Sequence, residues 1–194
     1  MPYSNDTGSR RQIPENFTLQ FSRAEIAKRV KEVGAEVDAW CSSVWADSRT
    51  DVVAIPVLRG GIIFFADLVR QISSSIEIAP VRAQTYDPAT NTAKEPSVQV
   101  YAEGLPIKGR VVLVVDDVCD SGRTLEELEK ALLARGAREV RTVVLLRRLL
   151  PRPTFVPCWV GLEYKGPEWF VGYGMDDSEH WRNLPDIYTI GRDA

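Results

Sequence analysis

Three largely apolar runs, rich in β-branched residues, set the limits on the fold. They are Val52–Leu58, Val111–Val115 and Val140–Leu146, and stretches with helical periodicity separate them. Strands that are apolar at nearly every position are typical of parallel sheets whose two faces are both covered. Because strands and helices alternate along the chain, an α/β fold is predicted, with one parallel sheet and helices on both of its faces.

The remaining elements follow from capping signals and periodicity. A helix is predicted to begin near Ser22, because Glu25 three residues later completes a capping box. The polar segment 87–96 has no periodicity and is predicted to be a mobile loop. Further helices are predicted at Ile62–Ile72 and Thr124–Arg135, and further strands at Ile76–Thr85 and Val98–Tyr101.

The length and composition predict one domain with additions at both ends. A chain of 194 residues with 44% hydrophobic content is sufficient for one core. Residues 1–21 are predicted to be a loosely attached N-terminal extension, and residues 22–194 a single domain. From residue 151 onward the sequence changes to Pro, Trp and short strand-like pieces. We expect this segment, residues 151–194, to form a small hood appended to the sheet.

Charge and cysteine content exclude several classes of protein. The 24 basic and 27 acidic side chains give a net charge of −3, whereas a general nucleic-acid or membrane-surface binder normally carries a basic excess. No run of eighteen apolar residues is present. Three scattered cysteines and one histidine provide neither a disulfide framework nor a zinc-binding spacing. We therefore predict a soluble cytoplasmic protein that binds neither nucleic acid nor membranes.

The most informative segment follows the apolar run at Val111–Val115. It carries Asp116 and Asp117, then Asp120, and then Ser-Gly-Arg-Thr at the start of a helix. Ligands of open α/β sheets bind beyond the carboxyl ends of the strands, and a helix N-terminus favours a phosphate. Carboxylates would repel that phosphate, so we expect them to hold ribose hydroxyls or Mg²⁺. The alternative is structural: the acids end a strand at solvent, and Asp120 or Ser121 only caps the helix.

This segment resembles the phosphoribosyl pyrophosphate (PRPP) signature of type I phosphoribosyltransferases: a strand, two acids, two variable residues, then Asp-Ser/Thr-Gly-x-Thr. Three further segments are similar to the hypoxanthine-guanine branch, with matching spacing: Pro56–Gly61, Trp169–Asp176 and Trp181–Pro185. The resemblance implies the type I phosphoribosyltransferase fold and an enzyme of purine salvage. Its reaction would transfer the 5-phosphoribosyl group from PRPP to N9 of hypoxanthine, guanine or xanthine, with release of pyrophosphate.

The resemblance also implies roles for the residues that bind PRPP. Asp120 faces N7 of the purine and handles a proton as N9 attacks, while Asp116 and Asp117 hold the ribose hydroxyls. Arg59–Gly60 binds pyrophosphate through a backbone amide, in this family often across a cis peptide, together with Arg182. The backbone of four consecutive residues binds the 5′-phosphate: Ser121, Gly122, Arg123 and Thr124.

The purine and Mg²⁺ contacts implied by the resemblance come mainly from the C-terminal part. Trp169 stacks on the base, and Arg148 donates to its 6-oxo group. Mg²⁺ is held by Asp176, directly or through water, and by Asp116. A lid closes over the site to exclude water, and the family forms dimers or tetramers. The purine-binding residues are Arg148, Trp169, Phe170 and Asp176, and the lid residues are Thr85 and Tyr86.

Two residues depart from the usual pattern of the family, and two rival interpretations remain open. Arg59 and Arg148 stand where the family usually has lysine, and the forked guanidinium of Arg148 requires a different base pocket. One rival is a phosphoribosyltransferase-like regulator that binds RNA, which the isoelectric point of about 5.3 and the presence of Asp120 and Trp169 disfavour. The other rival is a transferase for a different base. A permanent donor at Arg148 disfavours adenine, because the 6-amino group needs an acceptor.

Overall fold

The structure is a computed structural model of the chain. It describes residues 12–79 and 107–191, together with the backbone of Val81 and Arg82. Three predicted features lie outside the described residues: the lid residues Thr85 and Tyr86, the loop 87–96 and the strand Val98–Tyr101.

A parallel sheet forms the centre of the fold. Its main strands run in the order β3-β2-β5-β6-β7, and β4 pairs with β2 beyond β3. Two short strands therefore stand where one strand was predicted at Ile76–Thr85, of which residues 80 and 83–85 are not described. In chain order the elements are β1 (Thr18–Phe21), α1 (Arg23–Ser48), β2 (Val52–Leu58), α2 (Ile62–Val69), β3 (Ile76–Ile78), β4 (Val81–Arg82), β5 (Val111–Cys119), α3 (Arg123–Ala134), β6 (Glu139–Arg148), β7 (Trp159–Tyr164), β8 (Trp169–Val171) and β9 (Ile187–Ile190).

Helices cover both faces of the sheet. Alternate residues of its strands enter two separate cores, as the two-residue period of a strand requires. Val52 and Ala54 of β2 pack in the core that contains α1 and α2, whereas Val53 and Ile55 pack in the core that contains α3. The predicted α/β class, with a parallel sheet between two helical layers, is confirmed.

Helix α1 begins where the capping signal predicts. Ser22 accepts the backbone N–H of Glu25 at 3.4 Å, and the Glu25 carboxylate accepts the backbone N–H of Ser22 at 2.9 Å, which completes the capping box. The helix is 26 residues long. Neither α1 nor any other helix in the described ranges combines the length and the apolar character needed to cross a membrane.

The central strand β5 is longer than predicted. It continues to Cys119 because β6 pairs with it along its length, as far as the pair Cys119–Arg147. Asp116 and Asp117 therefore lie within the last part of the strand and not in the loop that follows it. Since β6 extends to Arg148, both strands deliver polar side chains to the same carboxyl edge of the sheet.

A second, antiparallel sheet joins the two ends of the chain, in the order β1-β9-β8. Strand β1 comes from the segment predicted to be a loose extension, and it pairs Thr18 with Thr189 and Leu19 with Tyr188. Strand β7 comes from the segment predicted to be the hood, but it forms an edge of the parallel sheet beside β6. A local sequence pattern identifies a strand but not its pairing partner. The pairing of β1 with β9 and of β7 with β6 could therefore not be predicted.

Candidate active site

Three chain segments meet at the carboxyl edge of the parallel sheet, and two glycines allow their close approach. A Cβ atom on Gly60, which follows β2, would lie 2.1 Å from Oδ2 of Asp117 on β5. A Cβ atom on Gly174, which follows β8 and has a φ of 104°, would lie 2.2 Å from the carbonyl oxygen of Gly60. Both distances are too short for a real Cβ contact, so a side chain at Gly60 would displace the Asp117 carboxylate, and Gly174, which meets backbone at a positive φ, requires glycine. The cis peptide bond expected in this loop lies between Leu58 and Arg59, one bond before Arg59–Gly60.

Asp116, which is buried, and Asp117, which is half-buried, form a pair of carboxylates at this edge. Asp116 is 6% exposed, and its Oδ1 accepts the backbone N–H of Asp117 at 2.9 Å. Burial, and then the charge of Asp117, raise the pKa of Asp116 well above its ordinary range. Burial also raises the pKa of Asp117. Such a pair favours ligands that relieve the cost of two buried charges, either hydroxyl donors or a cation.

The raised pKa of Asp116 gives a prediction for stability. Because the folded state binds this proton more tightly than the unfolded state, stability decreases as the pH rises from the ordinary aspartate range through the raised pKa. Asp116→Asn keeps the acceptor for Asp117 and removes the charge. We expect it to increase the free energy of unfolding at pH 7.5 by about 1–3 kcal/mol, the usual cost of a poorly compensated buried polar group. Denaturant unfolding at pH 7.5 and pH 4 measures the effect, which should decrease at pH 4. A less stable variant at pH 7.5 would contradict it.

The turn that follows Asp120 opens helix α3. Gly122 has a φ of 88° and is the last residue before the helix. Its carbonyl accepts the backbone N–H of Glu126 at 3.0 Å, and Oγ of Ser121 accepts the N–H of Arg123 at 3.4 Å. The first N–H groups of an α-helix have no partner within the helix, and the helix dipole adds positive charge there. This end of α3 therefore suits a phosphate.

The loop between β6 and β7 supports this turn from outside. The carbonyl of Ser121 accepts the backbone N–H of Thr154 at 2.8 Å and its hydroxyl at 2.7 Å. A Cβ atom on Gly122 would lie 2.7 Å from Cβ of Phe155. The sequence prediction missed Thr154 and Phe155, since their contacts depend on the path of a loop that has no local pattern.

Asp120 is paired with Arg148 from the end of β6. Nε of Arg148 donates to Oδ1 of Asp120 at 2.6 Å, and its two Nη atoms donate to the carbonyls of Gly166 and Glu168. The guanidinium carbon lies 4.7 Å from the ring centroid of Phe170. The Arg148 side chain is 13% exposed and that of Asp120 55%. The site thus presents an accessible carboxylate held by a fixed cation.

Phe170 lies against Arg148 of this pair, whereas Arg147 bonds to a different partner. The ring of Phe170 is buried in the core, so it supports Arg148 and does not form an open surface. Arg147 bonds to Glu163 on β7, and its buried Nε has no hydrogen-bond partner among the residues described. The two neighbouring arginines have different partners, as alternation along a strand predicts.

Trp169, Asp176 and Arg182 are brought together by the segment after β8. Nε1 of Trp169 donates to the backbone carbonyl of Asp176 at 2.7 Å. Arg182 donates from Nη1 to the carbonyl of Gly174 at 2.8 Å, and its Nη2 lies 2.7 Å from Oδ1 of Asp176. Oδ2 of Asp176 accepts the backbone N–H of Glu179 at 2.8 Å. Asp176 is therefore already engaged by one cation and one N–H group.

Glu179 connects this segment to the loop after β2. Its carboxylate accepts a hydrogen bond from Arg59 and also lies 3.5 Å from Nη2 of Arg182. The sequence prediction assigned no role to Glu179, because no local signal indicates that two distant arginines converge on it.

A divalent cation would find carboxylates at this edge without a complete set of protein ligands. Within residues 12–79 and 107–191, no three His, Cys, Asp or Glu side chains are arranged to hold a metal ion. Mg²⁺ in phosphate-binding sites usually takes one or two carboxylates and completes its octahedron with water and substrate oxygens. The adjacent carboxylates of Asp116 and Asp117 fit that mode of binding, and burial disfavours leaving their charge unneutralised.

Comparison with known proteins places the chain in a family. A family model described as "Phosphoribosyl transferase domain" matches residues 25–178. The hypoxanthine phosphoribosyltransferase of Escherichia coli (strain K12) is 32% identical over 173 residues, which cover 89% of this chain and 94% of that protein. The hypoxanthine-guanine phosphoribosyltransferase of Bacillus subtilis (strain 168) is 35% identical over 171 residues, which cover 87% of this chain and 90% of that protein.

Solved structures of similar enzymes have the same fold. A hypoxanthine phosphoribosyltransferase from Staphylococcus aureus aligns with a TM-score of 0.76 and 26% identity, covering 89% of this chain and 90% of that one. A hypoxanthine phosphoribosyltransferase from Trypanosoma cruzi aligns with a TM-score of 0.78 and 25% identity, covering 93% and 95%. Sequence and fold agree over most of the chain, which confirms the resemblance found in the motifs. The chain belongs to the phosphoribosyltransferase family.

Proposed function

We propose that this enzyme transfers the 5-phosphoribosyl group of PRPP to N9 of a 6-oxopurine, with release of pyrophosphate, as a step of purine salvage. The observation that carries the proposal is a convergence at one edge of the sheet. The carboxylate pair of Asp116 and Asp117 lies there with the helix end at Gly122 and the Asp120–Arg148 pair. The sequence relatives are named for hypoxanthine or guanine, which supports this class of base; xanthine is a further candidate.

The ribose 5′-phosphate would bind at the start of α3. The backbone N–H groups of Ser121, Gly122, Arg123 and Thr124 would donate to it, supported by the helix dipole. The carboxylates of buried Asp116 and half-buried Asp117 would accept hydrogen bonds from the ribose hydroxyls. These hydrogen bonds would stabilise the two carboxylates, because burial disfavours their charged form. Binding the ribose would also keep the carboxylates away from the phosphate, which they would repel.

Pyrophosphate would be held by the Arg59–Gly60 peptide and by Arg182. Guanidinium groups bind phosphate oxygens through forked, charge-assisted hydrogen bonds. Mg²⁺, when bound, neutralises the charge that develops on the leaving group. Of the residues proposed to hold it, Asp116 is a buried carboxylate whose Oδ1 accepts the backbone N–H of Asp117. Asp176 already contacts Arg182, so a contact through water suits Asp176 better.

The base would lie between Trp169 and the Asp120–Arg148 pair. Trp169 would stack on the base through its indole ring, while Phe170 and Asp176 would contribute their backbone groups. Arg148 would donate to the 6-oxo oxygen, and Asp120 would accept the proton that leaves N7 as N9 bonds to C1′. Thr85 and Tyr86 remain the predicted lid that excludes water from this step.

A panel of bases tests the proposed function. The protein is incubated with PRPP, Mg²⁺ and one of hypoxanthine, guanine, xanthine or adenine, and nucleotide formation is followed by ultraviolet absorbance. We expect nucleotide from hypoxanthine or guanine and far less from adenine. Efficient use of adenine, or no nucleotide from any purine, would contradict the proposal. An electrophoretic mobility shift of total RNA by the protein would favour the regulatory alternative.

Arg148 provides a sharper test of 6-oxo recognition. Arg148→Ala removes the donor and leaves the 6-oxo group unpaired, which costs about 1–3 kcal/mol, or roughly 5- to 150-fold in kcat/KM for hypoxanthine or guanine. The affinity for PRPP, measured by calorimetry, should change little. Arg147→Ala is the matched control, since Arg147 pairs with Glu163 and not with the site, and it should have a much smaller effect. The reverse order of the two variants would move 6-oxo recognition to Arg147.

Assembly and compartment are also part of the proposal. We expect a homodimer or homotetramer, measured by light scattering after size exclusion, and we expect the enzyme to act in the cytoplasm, measured by cell fractionation. A monomer that is fully active would contradict the first expectation.

A further inference from the structure

Two arginines of the site share one glutamate. Arg59, in the loop after β2, donates from Nη2 to Oε1 of Glu179. Nη2 of Arg182 lies 3.5 Å from the other carboxylate oxygen, Oε2. The proposed function, on which this inference rests, assigns pyrophosphate to the Arg59–Gly60 peptide and to the Arg182 side chain, and the inference extends this assignment to the Arg59 guanidinium. A single carboxylate of the protein itself is therefore an anion that both cations share.

The contacts of Glu179 are of a kind that another anion can replace. The side chain of Glu179 is 59% exposed and that of Arg59 67%, so water and salt screen their attraction and the pair contributes little stability. Arg182 is 26% exposed and is also held by Asp176 and by the carbonyl of Gly174. Loss of the Glu179 contact would therefore leave Arg182 in position.

The backbone around Glu179 adopts a conformation that residues other than glycine seldom adopt. The φ angles are 49° at Ser178, 69° at Glu179 and 69° at Trp181, all in the left-handed region. Such a turn persists only where its surroundings hold it. The backbone N–H of Glu179 is held by Asp176, and its carboxylate is held by the two arginines. The Glu179 carboxylate thus keeps its position through Arg59 and Arg182. A ligand that binds these arginines would compete with it.

We propose that Glu179 is a positioning residue that competes with pyrophosphate for Arg59 and Arg182, and so weakens binding of PRPP and of the pyrophosphate product. Pyrophosphate carries several negative charges and accepts forked hydrogen bonds from two guanidinium groups. It therefore displaces one exposed carboxylate, at the cost of the contacts which that carboxylate made. This competition favours release of pyrophosphate. Such an effect matters for the rate, since product release limits turnover in many enzymes.

Calorimetry of pyrophosphate binding to the full chain tests the proposal without relying on activity. The ligand is inorganic pyrophosphate in excess MgCl₂. Glu179→Gln keeps the shape of the side chain and removes its charge, so we expect the Kd to fall by about 3- to 30-fold, with a smaller gain in 0.5 M salt, where charges are screened. Glu32→Gln is the matched control. Glu32 also contacts two cations, Lys28 and Arg29, but it lies on α1, and its substitution should leave the Kd unchanged.

Steady-state kinetics and a charge-preserving variant separate competition from a purely structural role. We expect Glu179→Gln to lower the KM for PRPP without raising kcat, because tighter pyrophosphate leaves more slowly. Glu179→Asp retains the charge and should remain nearer to the wild type than Glu179→Gln.

The opposite results would overturn the proposal. An unchanged or higher Kd in Glu179→Gln, with the protein still folded, would mean that Glu179 supports the arginines instead of competing for them. If neither the wild type nor Glu179→Gln bound pyrophosphate, the arginine pair would not be an anion site and the inference would fail. The proposed function would then still be decided separately, by nucleotide formation with the panel of bases.

Discussion

Asp120→Asn is expected to lower kcat about 10²-fold or more while PRPP binds with nearly unchanged affinity. An amide cannot accept the proton that leaves N7 of the purine, whereas a carboxylate can. The substitution should preserve the local structure, because the amide oxygen still accepts the hydrogen bond that Nε of Arg148 now donates at 2.6 Å. Since the Asp120 side chain is 55% exposed, little core packing changes with it.

The measurement separates the chemical step from binding. Single-turnover or steady-state transfer to hypoxanthine gives the rate, and calorimetry gives the Kd for PRPP. Asp177→Asn is the matched control, because it makes the same change at another acid. Within the described residues, the only hydrogen bond of the Asp177 side chain is with Ser178. A turnover near that of the wild type in Asp120→Asn would remove Asp120 from the role of proton acceptor.

The fold could be predicted because its strands are identified by their own composition. Val52–Leu58 and Val111–Val115 are apolar on both sides, which in water is favourable only between two helical layers. The extent of β5 could not be predicted, since its last residues are paired only because β6 runs beside them. The position of β7 at the edge of the parallel sheet also depends on a partner that is distant in sequence.

The candidate site could be predicted where its residues are consecutive. Asp116, Asp117, Asp120 and Gly122 follow one strand, so the direction of that strand fixes their common location at the carboxyl edge. Convergence of separate segments could not be derived in the same way. The resemblance to the family located Arg148 and Arg182, but their partners Asp120, Asp176 and Glu179 emerge only from the packing of the segments.

The residues that were missed act through contacts between loops. Thr154 holds the carbonyl of Ser121, and Phe155 lies against Gly122, although more than thirty positions separate the two segments in the sequence. Threonine and phenylalanine in a proline-containing loop are common, and nothing in their spacing distinguishes a support for a phosphate site from an ordinary surface loop.

Gly122→Ala is expected to weaken PRPP binding by about 100-fold. Gly122 has a φ of 88°, and a Cβ atom there would lie 2.7 Å from both Cβ and the carbonyl oxygen of Phe155. The backbone must shift to relieve this contact, and the shift turns the N–H groups of the phosphate site away from their ligand. Loss of one charge-assisted hydrogen bond, which contributes about 1.5–3 kcal/mol, accounts for an effect of this size.

Gly136→Ala is the control that isolates the site from the general penalty of a left-handed alanine. Gly136 has a φ of 91°, and its nearest neighbour to a new Cβ atom is a side-chain carbon of Lys108 at 3.4 Å. Both variants should lose about 1–2 kcal/mol of stability from the backbone conformation, measured by denaturant unfolding. Only Gly122→Ala should lose affinity for PRPP in calorimetry. If Gly122→Ala is destabilised like Gly136→Ala but binds PRPP as the wild type does, the 5′-phosphate does not contact this end of α3.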